Sequence, residues 1–154
     1  MINSPFDEIP GSEINIRGLC LSGANFSGSD LTKVDFTEAD LTGANLVGAI
    51  LTEASLNRTI LRDVNFCGAS LRWCGLNEAD LLGSNLSHVN ATCAWFTGAI
   101  NVPLISYSIF ADTDFTDAQT TKQLICRAGN LIWRTIMPDG EIVFGPQYGD
   151  GHGR

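Results

Sequence analysis

Large apolar side chains recur at every fifth position from Ile16 to Phe96, through Leu21, Phe26, Leu31 and Phe36 and on to Leu86, and only Ala91 in that column is small. A period of five matches neither the 3.6 of a helix nor the 2 of a strand. The chain must turn a corner every five residues and point one large side chain inward on each side. Two places before each large residue the side chain is small, as at Ala24, Ala39, Ala44, Ala49 and Cys74. One place before it stands Asn or Asp in many repeats, such as Asn25, Asp30, Asp35 and Asp40. A small residue beside a large one lets the wall close on a narrow interior. Asx, Ser and Gly suit a backbone that keeps turning, through side-chain-to-backbone bonds and positive φ.

The charges indicate how many sides the coil has. If four five-residue sides make a turn, residue n lies one strand spacing, roughly 4.8 Å, from residue n+20. At that offset Glu13, Lys33 and Glu53 alternate in sign, and so do Glu38, Arg58 and Glu78. Asn25, Asn45, Asn65 and Asn85 form a column at the same offset, which stacked amides can bond along. A square coil of about twenty residues accounts for both, and the repeats make a rod roughly 20 Å long. Each coil then buries its face only against its neighbours.

The runs "SGANFSGSDLTKVDFTEADLTGANLVGAILTEASL" and "CGASLRWCGLNEADLLGSNL" resemble the pentapeptide-repeat family, whose consensus is A(D/N)LXX, over about residues 14–100. That resemblance implies an all-β solenoid, a right-handed quadrilateral β-helix. The later "TIMPDGEI" is similar to the tails of cyanobacterial members.

One domain is expected, in four stretches. Residues 1–13 are a lead-in and 14–116 the β-helix, with a break in the frame near 97–109. After Phe96 the frame slips by one, to a second series through Ile100, Ile105, Phe110 and Phe115, and Pro103 marks a bulge or loop. The open end of a solenoid needs a cover, and residues 117–145 are read as that C-terminal cap. It comprises a short helix between Thr116 and Arg127, with Asp117 as N-cap and Gly129 past its end, then a β-hairpin through "LIWRTIMPDGEIVF" turning at Pro138-Asp139-Gly140. The Gly-rich 146–154 is read as a flexible tail.

Charge bounds the partners. The net charge is −8, and from Ile14 to Ile100 eight acids face five bases, so most of the excess lies in the flanks. There is no basic stripe, so direct nucleic-acid binding is disfavoured. No apolar run is long enough to cross a membrane. The first residues lack the charged and apolar regions of a secretory signal, and five cysteines without CxxC spacing suit a reducing compartment. A cytoplasmic location is expected.

Candidate chemistry is sparse. His88 and His152 have no partner constellation, and His88 falls in a corner slot otherwise filled by Gly28, Gly48 and Gly68. Asp112, Asp114 and Asp117 make a DxDxxD run that lacks the Gly and distal Glu of a calcium loop. Cys74 takes an inward slot, Cys67 and Cys93 outward ones on different sides, and Cys20 and Cys126 lack a partner, so no metal spacing is present. The glycines recur at corners and form no phosphate loop. A solid rod offers no pocket. We expect no enzyme activity, no metal and no cofactor.

The leading functional reading is a non-enzymatic binding or scaffolding module for another protein. The family resemblance supplies an alternative, an acidic DNA mimic that binds the type II topoisomerase gyrase, and a homodimer through the C-terminal cap would lengthen such a rod. Arg72, Trp73 and Trp95 are the expected partner-binding residues, because twenty-residue stacking puts both indoles on one edge. Against this, the irregular 101–109 segment with Tyr107 is expected to fold back and cover them.

Overall fold

The computed structural model describes residues 14–103, 105–126 and 129–144, together with the backbone of 147–148. Each five-residue side contributes one bridge to a parallel ladder, and partners stand twenty apart: Asn25 with Asn45, Ile50 with Ser70, Ile60 with Asp80. Four sides therefore close one coil of a β-helix. One column of bridges runs the length of the rod through Asn15, Asp35, Ser55, Gly75, Trp95, Asp114 and Ile136. The inward column is fully buried from Leu41 through Leu86, and Ala91 is buried with it.

The corner explains the consensus. In most repeats the large residue's carbonyl accepts from the small residue three places on, as in Ala24 N–H to Leu21 at 3.0 Å, while at Leu86 the Ser108 hydroxyl bridges the Leu86 carbonyl and Val89 N–H. Only the third residue of this turn has positive φ, the pattern of a type II turn, and over 18–98 it spans 56° to 72°. The Asx before the large residue then caps the turn. Asn25 Oδ1 accepts from Ser27 N–H at 3.1 Å, Asp40 from Thr42 at 2.9 Å and Asn85 from Ser87 at 3.0 Å. The Asn column thus works mainly within each coil, with an amide-to-amide bond from Asn85 to Asn65.

Hydroxyls in the small inward slots reach the neighbouring coil. Thr59 donates to the Phe36 carbonyl at 3.0 Å, Ser108 to Leu86 at 2.8 Å and Thr113 to Ala91 at 2.7 Å. Such donors can be buried because each has an acceptor. The charge columns also stand: Lys33 meets Glu53 at 3.6 Å and Arg58 meets Glu38 at 2.9 Å. Glu13 lies outside the described residues. Two further pairs run diagonally between residues eighteen apart, Arg17 with Asp35 and Arg62 with Asp80.

The change of frame comes later than the sequence suggests. Ile100 still bridges Asp80, which makes it the last outward residue of the first frame and not the first inward residue of the second. One residue is lost between Asn101 and Ile105, since Asn90 bridges Ile109 and Trp95 bridges Asp114. Ile105, Phe110 and Phe115 are then inward and buried.

The cap also differs from expectation. Strand β1 (Ile109–Ala111) pairs in parallel with β2 (Leu131–Trp133), so the first arm of the supposed hairpin is one more rung of the coil. Between them the helix α1 is only Lys122–Ile125. Its N-cap is Thr121, whose hydroxyl accepts from Leu124 N–H, whereas Asp117 is a left-handed corner residue at φ 56°. The hairpin proper joins β3 (Thr135–Ile136) to β4 (Ile142–Val143). Within the tail expected to be flexible, β5 (Gln147–Tyr148) pairs antiparallel with β2; the tail's other residues lie outside the described residues. No helix among the described residues is long and apolar enough to cross a membrane.

Candidate functional site

Corner residues between the fourth side of one coil and the first side of the next form the column Lys33, Glu53, Trp73, Cys93, Asp112 and Arg134, all with positive φ. Trp73 at 57° is the bulkiest of them. A left-handed conformation costs a non-glycine residue about 1–2 kcal/mol, and for a bulky residue it is unusual. Trp95 occupies the bridge position two places past Cys93, where the repeat prefers Asx. The rings lie with centroids 6.1 Å apart and planes tilted by 55°. Both are partly open to solvent, Trp73 at 47% and Trp95 at 41% of full exposure.

The fold adapts around them. With Trp95 in place of an Asx, Thr97 N–H loses its cap within the repeat, and Asn77 Oδ1 of the neighbouring coil accepts it at 3.2 Å. The same replacement occurs one coil earlier, where Gly75 fills the Asx position and Asn57 Oδ1 accepts from Asn77 N–H at 2.9 Å. Glycine suits this arrangement, since a Cβ on Gly75 would come within 2.8 Å of Asn57 Oδ1 and push that amide aside. Sequence reasoning missed Asn57 and Asn77. Their signal is an Asn one place after the large residue, twenty before a turn that lacks its own Asx.

Arg72 immediately precedes Trp73 and is exposed. Among the described residues every other Lys and Arg has a carboxylate: Arg17 with Asp35, Lys33 with Glu53, Arg58 with Glu38, Arg62 with Asp80, Lys122 with Glu141, and Arg134 with Asp112. Arg72 alone is without one. Its charge is felt by the Cys93 thiol, which burial and Asp112 push above its ordinary value while Arg72 and Arg134 pull the other way.

The expected cover does not form. Tyr107 sits on a different corner, in the column of Gly68 and His88, and stacks on His88 at 5.3 Å with planes 11° apart. Its ring lies within 2.8 Å of where a Cβ on Gly129 would be, and Gly129 has φ 73°, so glycine is favoured at that position. Because the frame loses its residue before Ile105, the loop emerges on this corner and leaves both indoles open.

The remaining candidates fall into structural roles. Asp114 caps Thr116 through both N–H and hydroxyl, Asp112 pairs with Arg134, and Asp117 turns a corner. Among the described residues no group of three His, Cys, Asp or Glu could hold a metal ion. Cys74 is fully buried and desolvation pushes its thiol far up; the five cysteines are all free. Asp30 and Asp40 are held below the ordinary 3.8 by the Thr32 and Thr42 bonds that close their turns. A shallow depression of about 290 Å³ is lined by Lys33, Val34, Asp35, Glu53 and Ser55, and its Lys33 is engaged by Glu53. His152 lies outside the described residues.

The repeat pattern matches the family model for pentapeptide repeats in eight copies, over residues 12–48, 20–58, 35–72 and 68–100. No curated protein matches the chain. Among solved structures, a pentapeptide repeat protein from the Arabidopsis thaliana thylakoid lumen is 35% identical over 71% of this chain and 76% of that one, with a TM-score of 0.39. Rfr23, from the cyanobacterium Cyanothece 51142, is 25% identical over 65% of this chain and 82% of its own, with a TM-score of 0.33. The plasmid-mediated fluoroquinolone resistance protein QnrB1 is 16% identical over 77% and 70%, with a TM-score of 0.38. These scores carry no functional argument, and membership rests on the repeats and their matched residues. The chain belongs to the pentapeptide-repeat family.

Proposed function

We propose that the chain is a non-enzymatic module that binds or scaffolds another protein through its walls. The observation that carries this reading is the core, which runs from Phe26 to Val143 and fills the inside of the described coils with side chains. Substrate sites are concave, whereas a filled coil offers a partner only a regular outer surface. In this reading the coil is right-handed, as in the family it belongs to, and the free cysteines suit a cytoplasmic setting. A homodimer would form at the C-terminal end, where Trp133, Ile142 and Phe144 are exposed, and light scattering at varied concentration tests it.

The alternative, an acidic DNA mimic acting on gyrase, needs acids left open at phosphate-like intervals. Here Asp35, Glu38, Glu53, Asp80 and Asp112 are each paired with a cation of a neighbouring coil. A gyrase supercoiling assay separates the two. The binding-module reading expects no inhibition and no drug protection at micromolar protein. Inhibition that salt relieves would replace it with the mimic.

A further inference from the structure

We infer that the edge bearing Arg72, Trp73 and Trp95 docks an extended segment of a partner protein that sets an Asp or Glu carboxylate beside an aromatic or branched apolar side chain. This rests on the binding-module reading and names the surface and the chemistry it selects.

Two independent observations meet at this edge. The first is that two indoles stand together on the outside of this edge, at positions the repeat elsewhere fills with smaller side chains. Trp73 holds a corner at φ 57° like the other residues of its column, and Trp95 stands at an Asx position whose cap Asn77 supplies from the preceding coil. Neither ring is put to use in the core, since both keep more than two-fifths of their surface in solvent. Large aromatic side chains left exposed side by side are characteristic of interaction surfaces. The second is charge. Of the seven described Lys and Arg residues, six are matched by a carboxylate of this chain, and the unmatched one is Arg72, next to Trp73 in sequence. A guanidinium binds a carboxylate through two parallel N–H donors. Tryptophan and arginine together are the residue types that dominate interface energies.

The same groups could stack a base and hold a phosphate, but a chain of net charge −8, with one open cation among its described residues, repels a polyanion. A peptide carrying an isolated acid avoids that penalty. An extended segment suits this edge, because Trp73 stands at a corner and Trp95 on the adjoining side, so their rings line a ridge along the rod.

The test uses the whole chain and variants that restore what the repeat itself prefers. Trp73→Gly relieves the corner, and Trp95→Asn returns the Asx cap, so the double variant should melt no lower than the parent. A random peptide display library is panned on the parent, and recovered peptides are titrated by fluorescence anisotropy. The expected result is enrichment of an acid adjacent to an apolar residue, at least about tenfold weaker binding to the folded double variant, and a similar loss with Arg72→Glu. Arg72→Glu should also shift the preference toward basic peptides. Peptides that bind the double variant as tightly as the parent overturn this edge and leave the binding-module reading standing. Selected peptides indifferent to Arg72→Glu overturn the proposed chemistry, and an oligothymidylate that outcompetes them overturns the partner class. A library with no binder overturns the extended-segment proposal, while the gyrase assay judges the broader reading separately.

Discussion

Truncating Leu56 to alanine is expected to destabilise the protein by about 2–5 kcal/mol. Leu56 is fully buried in the same core cluster as Phe36 and Leu76, which hold the equivalent position one coil before and one coil after it. The backbone there is fixed by ladders on both sides, Leu56 N–H to the Gly75 carbonyl at 2.7 Å and Phe36 N–H to Ser55 at 2.8 Å. A wall held this way cannot collapse into the vacated space, so the cavity persists. The loss is a large share of the roughly 5–15 kcal/mol typical of a domain. Leu56→Asp places a charge where no partner or water can reach it, and no folded protein is expected. Equilibrium urea denaturation checks both. A loss of less than about half a kcal/mol for Leu56→Ala, the size of an ordinary surface substitution, would contradict the inward assignment.

The second large effect is expected at Asn130, which is fully buried and joins three segments. Its Oδ1 accepts from Ser108 N–H, and its Nδ2 donates to the carbonyls of Ile105 and Ile125, each at 2.9 Å. Asn130→Ala strands all three groups in the interior. At about 1–3 kcal/mol for each buried orphan, the loss should reach about 3 kcal/mol, with early loss of amide protection at Ser108. Asn130→Asp keeps the acceptor but turns an oxygen toward two carbonyls. Burial and those dipoles raise the carboxyl's folded pKa above its unfolded value. This variant is therefore most stable below the unfolded pKa, near 4, and loses stability as pH rises through the folded one. Urea midpoints for Asn130→Asp that do not change between pH 4 and pH 7, or a cost below about 1 kcal/mol for Asn130→Ala, would show that the knot does not hold the cap.

How much of this was legible in the sequence depended on which residues carried the signal. The inward column was plain because Leu and Phe at a fixed interval have no other reading, and Lys33, Glu53, Glu38 and Arg58 gave the number of sides. The frame change was harder to place because Ile100 is apolar. Ile50 and Ile60 hold the same outward position and are 42% and 41% exposed, so an isoleucine there does not distinguish inside from outside. Only the pairing of Ile100 with Asp80 does. The expected cover came from reading 101–109 as an irregular loop, whereas Tyr107 takes an ordinary corner and stacks on His88. In the cap, Asp117 and Thr121 are both sound helix starters by type, and the coil had already claimed Asp117 for a corner. The candidate edge was legible as a pair of tryptophans stacked near Arg72. That Arg72 lacks a carboxylate was not, because Arg17 and Arg62 find theirs eighteen residues on, off the twenty-residue column.

The edge exists only if the coil stands in this register, and scalar couplings across hydrogen bonds measure it directly. The amide of Leu56 should couple to the carbonyl of Gly75, nineteen residues ahead, and that of Ser55 to Val34, twenty-one behind. The forward offset should shorten to eighteen past the frame change, as from Cys93 to Ala111 and Phe96 to Asp114, then lengthen to twenty-one in the last coil, as from Asp112 to Trp133. Couplings at these offsets, changing at these residues, are the expected result. Forward offsets about five residues shorter or longer throughout the repeats would mean a three- or five-sided coil. The charge columns and the shared edge of Trp73 and Trp95 would then fall together.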